Sequence, residues 1–228
     1  MIYRHKIIDN SHLSPFSTRK NILEILKPNS RIRYKALFGE RIVAISASKL
    51  NNETKIYTFK DYLKLPQDER VEVIEGRIYN MTPAPSLKHQ TIVGNLFILL
   101  KTAPANKCYI GIAPTDVVLD DYNVVQPDIF LVCDRTKLKE THVEGAPDLI
   151  IEVASKHTLI KDKREKRKLY EKFGVKEYII VFPEEEYLEK YILTDKGYLP
   201  PEVYTKGERF KLYTIELEIL VDEVFKGL

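Results

Sequence analysis

The sequence predicts an α/β or α+β protein with a central mixed β-sheet flanked by helices. Three observations predict it. An amphipathic helix at 85–104 precedes a run of short apolar strands, the stretch 148–182 reads strand–helix–strand, and further strands follow toward the C-terminus. A strand–helix–strand unit of that length joins parallel neighbours, so both of its strands are expected near the centre of the sheet.

Each element has a local cause. "YTFKDYLKLP" (57–66) is a short helix capped by Thr58 and stopped before Pro66. "VEVIEGRIYNM" (71–81) is a hairpin with Glu75-Gly76 at its turn. In 85–104, Ser86 caps the helix, and Ile92, Val93, Leu96, Leu99 and Leu100 form its apolar face. "CYIGIA", "TDVVLD" and "VVQPDIFLV" read as three strands, the last two joined by a turn at "DDYN" (120–123). An irregular loop leads to the strand 148–154. Thr158 caps a helix to about Phe173, and "VKEYIIVFP" (175–183) is the next strand. "YLEKYIL" and "GYLPPEVY" form a last strand pair before a short helix around "VDEVFKGL".

The composition changes near residue 54. Upstream, "TRKNILEILK" (18–27) reads as a short helix, "RIVAISA" (41–47) as a strand and "KLNNET" (49–54) as a linker. The chain therefore divides into a basic N-terminal extension, 1–53, and a main domain, 54–228. Lys+Arg exceed Asp+Glu by 11 to 4 in residues 1–56 and are exceeded 25 to 29 in residues 57–228, within a net charge of +3. Global charge does not announce a nucleic-acid binder, so such a role rests on local groups. No apolar run is long enough for a bilayer, and "MIYRHKIIDN" lacks the apolar core of a signal peptide, so no membrane role and a cytoplasmic location are expected. Cys108 and Cys133 show no metal-ligand spacing and lie at the edges of apolar runs, which predicts buried thiols.

The chemistry is carried by acids placed where acids are costly. "GAPDLIIEVASKHT" (145–158) is a buried strand interrupted by Glu152, and "VVQPDIFLV" places Asp128 after Pro127 inside another apolar run. Two converging carboxylates make a hard oxygen site suited to Mg²⁺ or Mn²⁺. The structural alternatives are that Asp128 opens a strand, that Asp148 braces a strand entrance, and that Glu152 pairs with a lysine. On the following helix, Leu169, Tyr170 and Phe173 form an apolar stripe that projects back by fours through Lys166 and Asp162. Lys166 is thereby predicted to face the sheet that carries Glu152. There it neutralises charge on a phosphate, or else pairs with Asp162.

"YTFKDYLKLP", "VEVIEGRIYNMTPAPSLKHQTIVGNL", "VVQPDIFLV", "GAPDLIIEVAS" and "KRKLYEKFGVKEYIIV" together resemble the Uma-type family of restriction endonucleases, in the PD-(D/E)xK nuclease superfamily. The resemblance covers about 57–225. It implies a restriction-endonuclease-like core and divalent-metal hydrolysis of phosphodiester bonds in DNA. Carried over by residue, it makes Asp128 and Glu152 metal ligands together with the Val153 carbonyl, and Lys166 the catalytic cation. Asp162 and Tyr170 match its helix neighbours, and Glu72, Glu75 and His89 match polar positions of its N-terminal part. The usual superfamily lysine, two residues after Glu152, is here Ala154. Lys156 stands where the family usually has proline and rivals Lys166 as the cation. Two further readings stay open: a nuclease-fold protein that binds nucleic acid or a partner without cutting, and a protein whose acids are structural ion pairs. A homodimer is expected by analogy with other nucleases of this class.

Overall fold

The computed structural model describes the backbone of residues 22–25, 33–38 and 41–45, and residues 55–66, 70–81, 84–104, 107–155 and 158–228 in full. The chain divides into two units, Met1–Lys55 and Ile56–Leu228. The first contains β1 (Ile22–Ile25), β2 (Arg33–Phe38) and β3 (Arg41–Ile45), an antiparallel sheet in that order. The helix expected at 18–27 is thus a strand over its described part. Ile22–Ile25 pairs with Arg33–Ala36, and so short a helix is marginal on its own. The linker expected at 49–54 lies mostly outside the described residues.

The second unit opens with α1 (Phe59–Tyr62), where Thr58 and Asp61 form a reciprocal capping box. β4 (Val71–Ile74) and β5 (Arg77–Asn80) make the expected hairpin. Its turn residues Glu75 and Gly76 both have positive φ, 50° and 71°, as a tight primed turn demands. α2 (Leu87–Lys101) starts where Ser86 accepts the His89 N–H. β6 (Tyr109–Ile112), β7 (Asp116–Asp120), β8 (Asn123–Val125), β9 (Ile129–Val132), β10 (His142–Glu144) and β11 (Leu149–Val153) follow. α3 runs from Leu159 to Phe173 with a π-helical turn over Asp162–Lys166, and ends at left-handed Gly174. β12 (Glu177–Phe182), β13 (Tyr187–Thr194), β14 (Gly197–Tyr198), β15 (Glu202–Tyr204), β16 (Arg209–Leu212), β17 (Leu217–Leu220) and α4 (Val221–Val224) complete it.

The mixed α+β architecture is distributed over two mixed sheets, ordered β10-β7-β8-β4-β5 and β14-β13-β12-β11-β9-β6, with a β16-β17 hairpin beside them. β11 and β12 pair in parallel, Leu149 opposite Glu177 through Val153 opposite Val181. They occupy the middle of their sheet, as the crossover requires. "VVQPDIFLV" is not one strand. β8 belongs to the first sheet and β9 to the second. Between them stands Pro127, which has no N–H to continue a ladder, and the chain passes there from one sheet to the other.

Strand alternation divides the core of the second sheet. Ile129, Leu131, Leu149, Ile151, Val153, Ile179 and Val181 pack with Ile92, Leu96 and Leu100 of α2. Phe130, Val132, Ile150, Ala154, Tyr178 and Ile180 pack with Leu169 and Tyr170 of α3. Cys108 and Cys133 are a disulfide, not buried thiols. The antiparallel register that pairs Tyr109 with Val132 brings the next residues together at the end of the β6–β9 ladder, where Cys133 is exposed. Asp148 is the brace expected of it. It accepts the Cys133 N–H at 2.8 Å and pairs with Lys176 at 2.8 Å. Burial opposes its charge, but Lys176 and the Cys133 N–H hold its carboxyl below the usual carboxylate range.

Among the described residues, the three apolar clusters of the second unit lie within 57–225. A truncation starting near Asn51 is expected to melt as one cooperative transition, within a few degrees of the full chain. A non-cooperative melt would show that the extension is part of the domain core.

Candidate active site

The β9–β11 ladder pairs Ile151 with Ile129 and Ile150 with Phe130. Asp128 and Glu152 are the next residues beyond that ladder. Glu152 alternates with Ile150 and Ala154, on the face covered by α3. The two acids also connect through backbone, because the Val153 N–H donates to Asp128 Oδ2 at 2.8 Å. His89 Nε2 lies 3.2 Å from the same Oδ2.

Glu152 is 4% exposed. Its Oε1 lies 2.8 Å from Lys166 Nζ and accepts the Tyr170 hydroxyl at 2.8 Å. Lys166 faces the sheet, as its helical stripe predicts. Its ammonium also touches Glu72 Oε1 at 2.8 Å and stands 3.8 Å from Asp162 Oδ1. The two proposed partners of Lys166 are therefore not exclusive, although the contact with Glu152 is the closer. Ala154 is buried on the same face, where a lysine at that position would have stood.

Glu72, on β4 of the other sheet, is fully buried, and both its oxygens are occupied. Oε1 takes Lys166 and the Gln126 N–H at 3.1 Å, and Oε2 takes Lys161 at 2.5 Å. Lys161 is the site residue that sequence reasoning missed. In a regular helix, residues five apart lie about 140° apart around the axis, so nothing in the α-helical period groups it with Lys166. The π turn, with its i→i+5 spacing, brings the two to one carboxylate. Glu75, by contrast, is exposed at the hairpin turn, its N–H bound to Asn123 Oδ1, and is not brought into the group. Lys156 and the neighbouring His157 lie outside the described residues.

One ammonium among three carboxylates cannot satisfy all of them, and the titration shifts divide accordingly. Burial opposes the charge of Glu72, but Lys166 and Lys161 hold its carboxyl below the usual range. Burial pushes Glu152 up to about 8; Lys166 opposes, while Asp162, Asp128 and Glu72 add to the rise. Burial likewise raises Asp162 against the pull of Lys166. Burial alone would discharge Lys166, but Glu152, Glu72 and Asp162 raise it well above the usual lysine value.

Among the described residues, no three His, Cys, Asp or Glu side chains form a ready-made metal shell. Mg²⁺ does not require one, since it keeps several waters and uses one or two carboxylates. Asp128 Oδ1 and Glu152 Oε2 receive no hydrogen bond from the described residues, so each acid has an oxygen left for a ligand. Two buried polar atoms beside them, His89 Nδ1 and Asp162 Oδ1, also lack a hydrogen-bond partner. Lys166 is shared by Glu72, Glu152 and Asp162, Lys161 pairs with Glu72, and Asp128 meets His89. The open oxygens of Asp128 and Glu152 are hard donors, which fit Mg²⁺ or Mn²⁺.

The chain is similar to an uncharacterized protein of Synechocystis sp., 28% identical over 165 residues, which are 71% of this chain and 86% of the relative. Its fold is similar to the crystal structure of a "putative nuclease belonging to DUF820" from Anabaena variabilis. The TM-score is 0.62 at 20% identity, over 74% of this chain and 97% of that one. No helix among the described residues is long and apolar enough to cross a membrane. Residues 59–221, well over half of the chain, match the model of the Uma2 family, described as "Putative restriction endonuclease", and the chain belongs to that family.

Proposed function

We propose that this chain is a divalent-metal-dependent endonuclease that hydrolyses phosphodiester bonds of DNA. The observation that carries the reading is the pair Asp128 and Glu152. Asp128 is bound to the N–H of Val153, the residue after Glu152, Lys166 stands on Glu152, and each acid has one oxygen unengaged. A Mg²⁺ or Mn²⁺ ion bound there would polarise a phosphoryl oxygen and make its bound water a better nucleophile. The chain's own groups do the rest. His89 and the Val153 N–H fix Asp128, and Tyr170 fixes Glu152. Lys166 is the nearest fixed positive charge for a phosphate approaching Glu152, placed to stabilise charge that develops on it. DNA is then the partner and the cytoplasm the compartment. A homodimer follows only by analogy with other nucleases.

One observation favours a second reading. Lys166 is already engaged by Glu72 and Glu152, and Ala154 offers no other cation. A chain locked in that state binds DNA without cutting it. The deciding experiment incubates purified protein with supercoiled plasmid, with Mn²⁺ and with a chelator, beside Asp128→Asn. Nicking or linearisation only with Mn²⁺, and lost in Asp128→Asn, is the expected result. Binding without cleavage selects the second reading. Cleavage at the wild-type rate by Asp128→Asn places the activity elsewhere.

A further inference from the structure

We propose that Lys161 stands in for a second divalent cation, so that the site takes one metal ion, at Asp128 and Glu152, and Glu72 anchors two lysines instead of ligating metal. The inference rests on the metal-dependent reading above and specifies its stoichiometry.

The three acids differ in what occupies their oxygens. Asp128 and Glu152 each keep one oxygen without a hydrogen bond from the described residues. Glu72 keeps none, because Lys166 and the Gln126 N–H share Oε1 while Lys161 fills Oε2. A metal ion at Glu72 would have to displace a lysine from a fully buried carboxylate, and the displaced ammonium would lose its charge partner.

Without Lys161, Glu72 Oε2 becomes an open carboxylate oxygen. Lys161 reaches that oxygen only because the π turn over Asp162–Lys166 puts residues five apart on one side of the helix. Its side chain is 15% exposed against 4% for Lys166. It is therefore the outer of the two lysines and the one that can be changed with less disturbance of the core.

The test is a Mn²⁺ titration of the purified full-length protein by calorimetry, with free Mn²⁺ followed by electron paramagnetic resonance. Wild type is expected to bind one Mn²⁺ per chain and Lys161→Gln two. The double variant Lys161→Gln/Glu72→Gln should return to one, and Lys161→Arg, which keeps the charge, should stay at one. Two ions in wild type, or one in Lys161→Gln, overturns the proposal. If Lys161→Gln does not fold, Lys161→Met, which keeps the aliphatic stem, takes its place. Failure of both to fold also overturns it, because Lys161 is then a structural residue. A folded wild type that binds no Mn²⁺ at all is a different failure, that of the metal-dependent reading itself.

Discussion

Glu152→Gln is expected to abolish cleavage and, in the same protein, to stabilise the metal-free fold. The two effects share one cause. Glu152 is a buried acid whose ionisation is opposed by burial and by the charges of Asp162, Asp128 and Glu72, so that its carboxyl is pushed up to about 8. A folded-state value above the unfolded one means that the folded protein holds its proton where the unfolded chain has released it. Stability from this group therefore falls as the pH rises from about 4.5 to about 8 and stays low above that. Glutamine keeps the shape and removes the charge. Melting temperatures measured in chelator at pH 5, 6.5 and 8 should show a wild-type decline across that window that is smaller in Glu152→Gln. At pH 8 the variant should be higher by at least about 3 °C, about 1 kcal/mol for a domain of this size. Glu72 and Asp148, whose carboxyls are lowered, contribute stability that is lost only below the ordinary carboxylate range, so they do not obscure the window. Cleavage in Mn²⁺ should fall by about 10²–10³-fold or more, and the stabilisation that Mn²⁺ gives the wild type should disappear. A variant that is less stable than wild type at pH 8 would show that the carboxylate of Glu152 is a structural ion pair with Lys166.

Lys166→Ala is expected to cost both folding and rate. Its ammonium is the shared counter-charge of Glu152, Glu72 and Asp162. Removing one partner of a buried ionic group leaves the others uncompensated, which costs about 3–5 kcal/mol. For this chain length that lowers the melting temperature on the order of 10 °C. Cleavage, measured below the melting transition, should fall about 10²–10³-fold with DNA affinity little changed, because a fixed charge acts on the transition state. The combination Lys166→Met with Glu152→Gln separates the two losses. It removes charge of both signs, leaves Glu72 its contact with Lys161, and should recover at least half of the stability while remaining inactive. A Lys166→Ala protein that cuts at the wild-type rate would reassign the catalytic cation, with Lys156 the rival.

Much of the fold and the centre of the candidate site were legible because they depend on local periods. Ser86 and Thr58 cap their helices through their own neighbours. The twofold alternation of a strand puts Glu152 on the same face as Ile150 and Ala154. The helical stripe through Tyr170 carries Lys166 and Asp162 inward, and all three are buried. A strand, a helix and a strand in one short stretch leave little choice but a parallel crossover, and β11 and β12 form one.

What the sequence by itself determined, then, is where chemistry-bearing side chains lie within their own elements, and which family those elements belong to. Tertiary structure decided what those elements meet. Glu72 and Glu75 are three residues apart and equally acidic. Only the pairing of β4 inside a sheet buries one, and only the hairpin turn exposes the other. Cys108 and Cys133 became partners through the register of β6 on β9, which neither local sequence encodes. Ile22–Ile25 became a strand because a neighbouring strand was there to pair with it. Pro127 is visible in the sequence as a missing N–H, but that the break transfers the chain between two sheets depends on which strands flank it. Lys161 depends on a π turn whose wider spacing departs from the period on which helical projection relies. In each case the deciding contact joins residues distant in sequence or breaks the local repeat, so a reading based on local repeats cannot reach it.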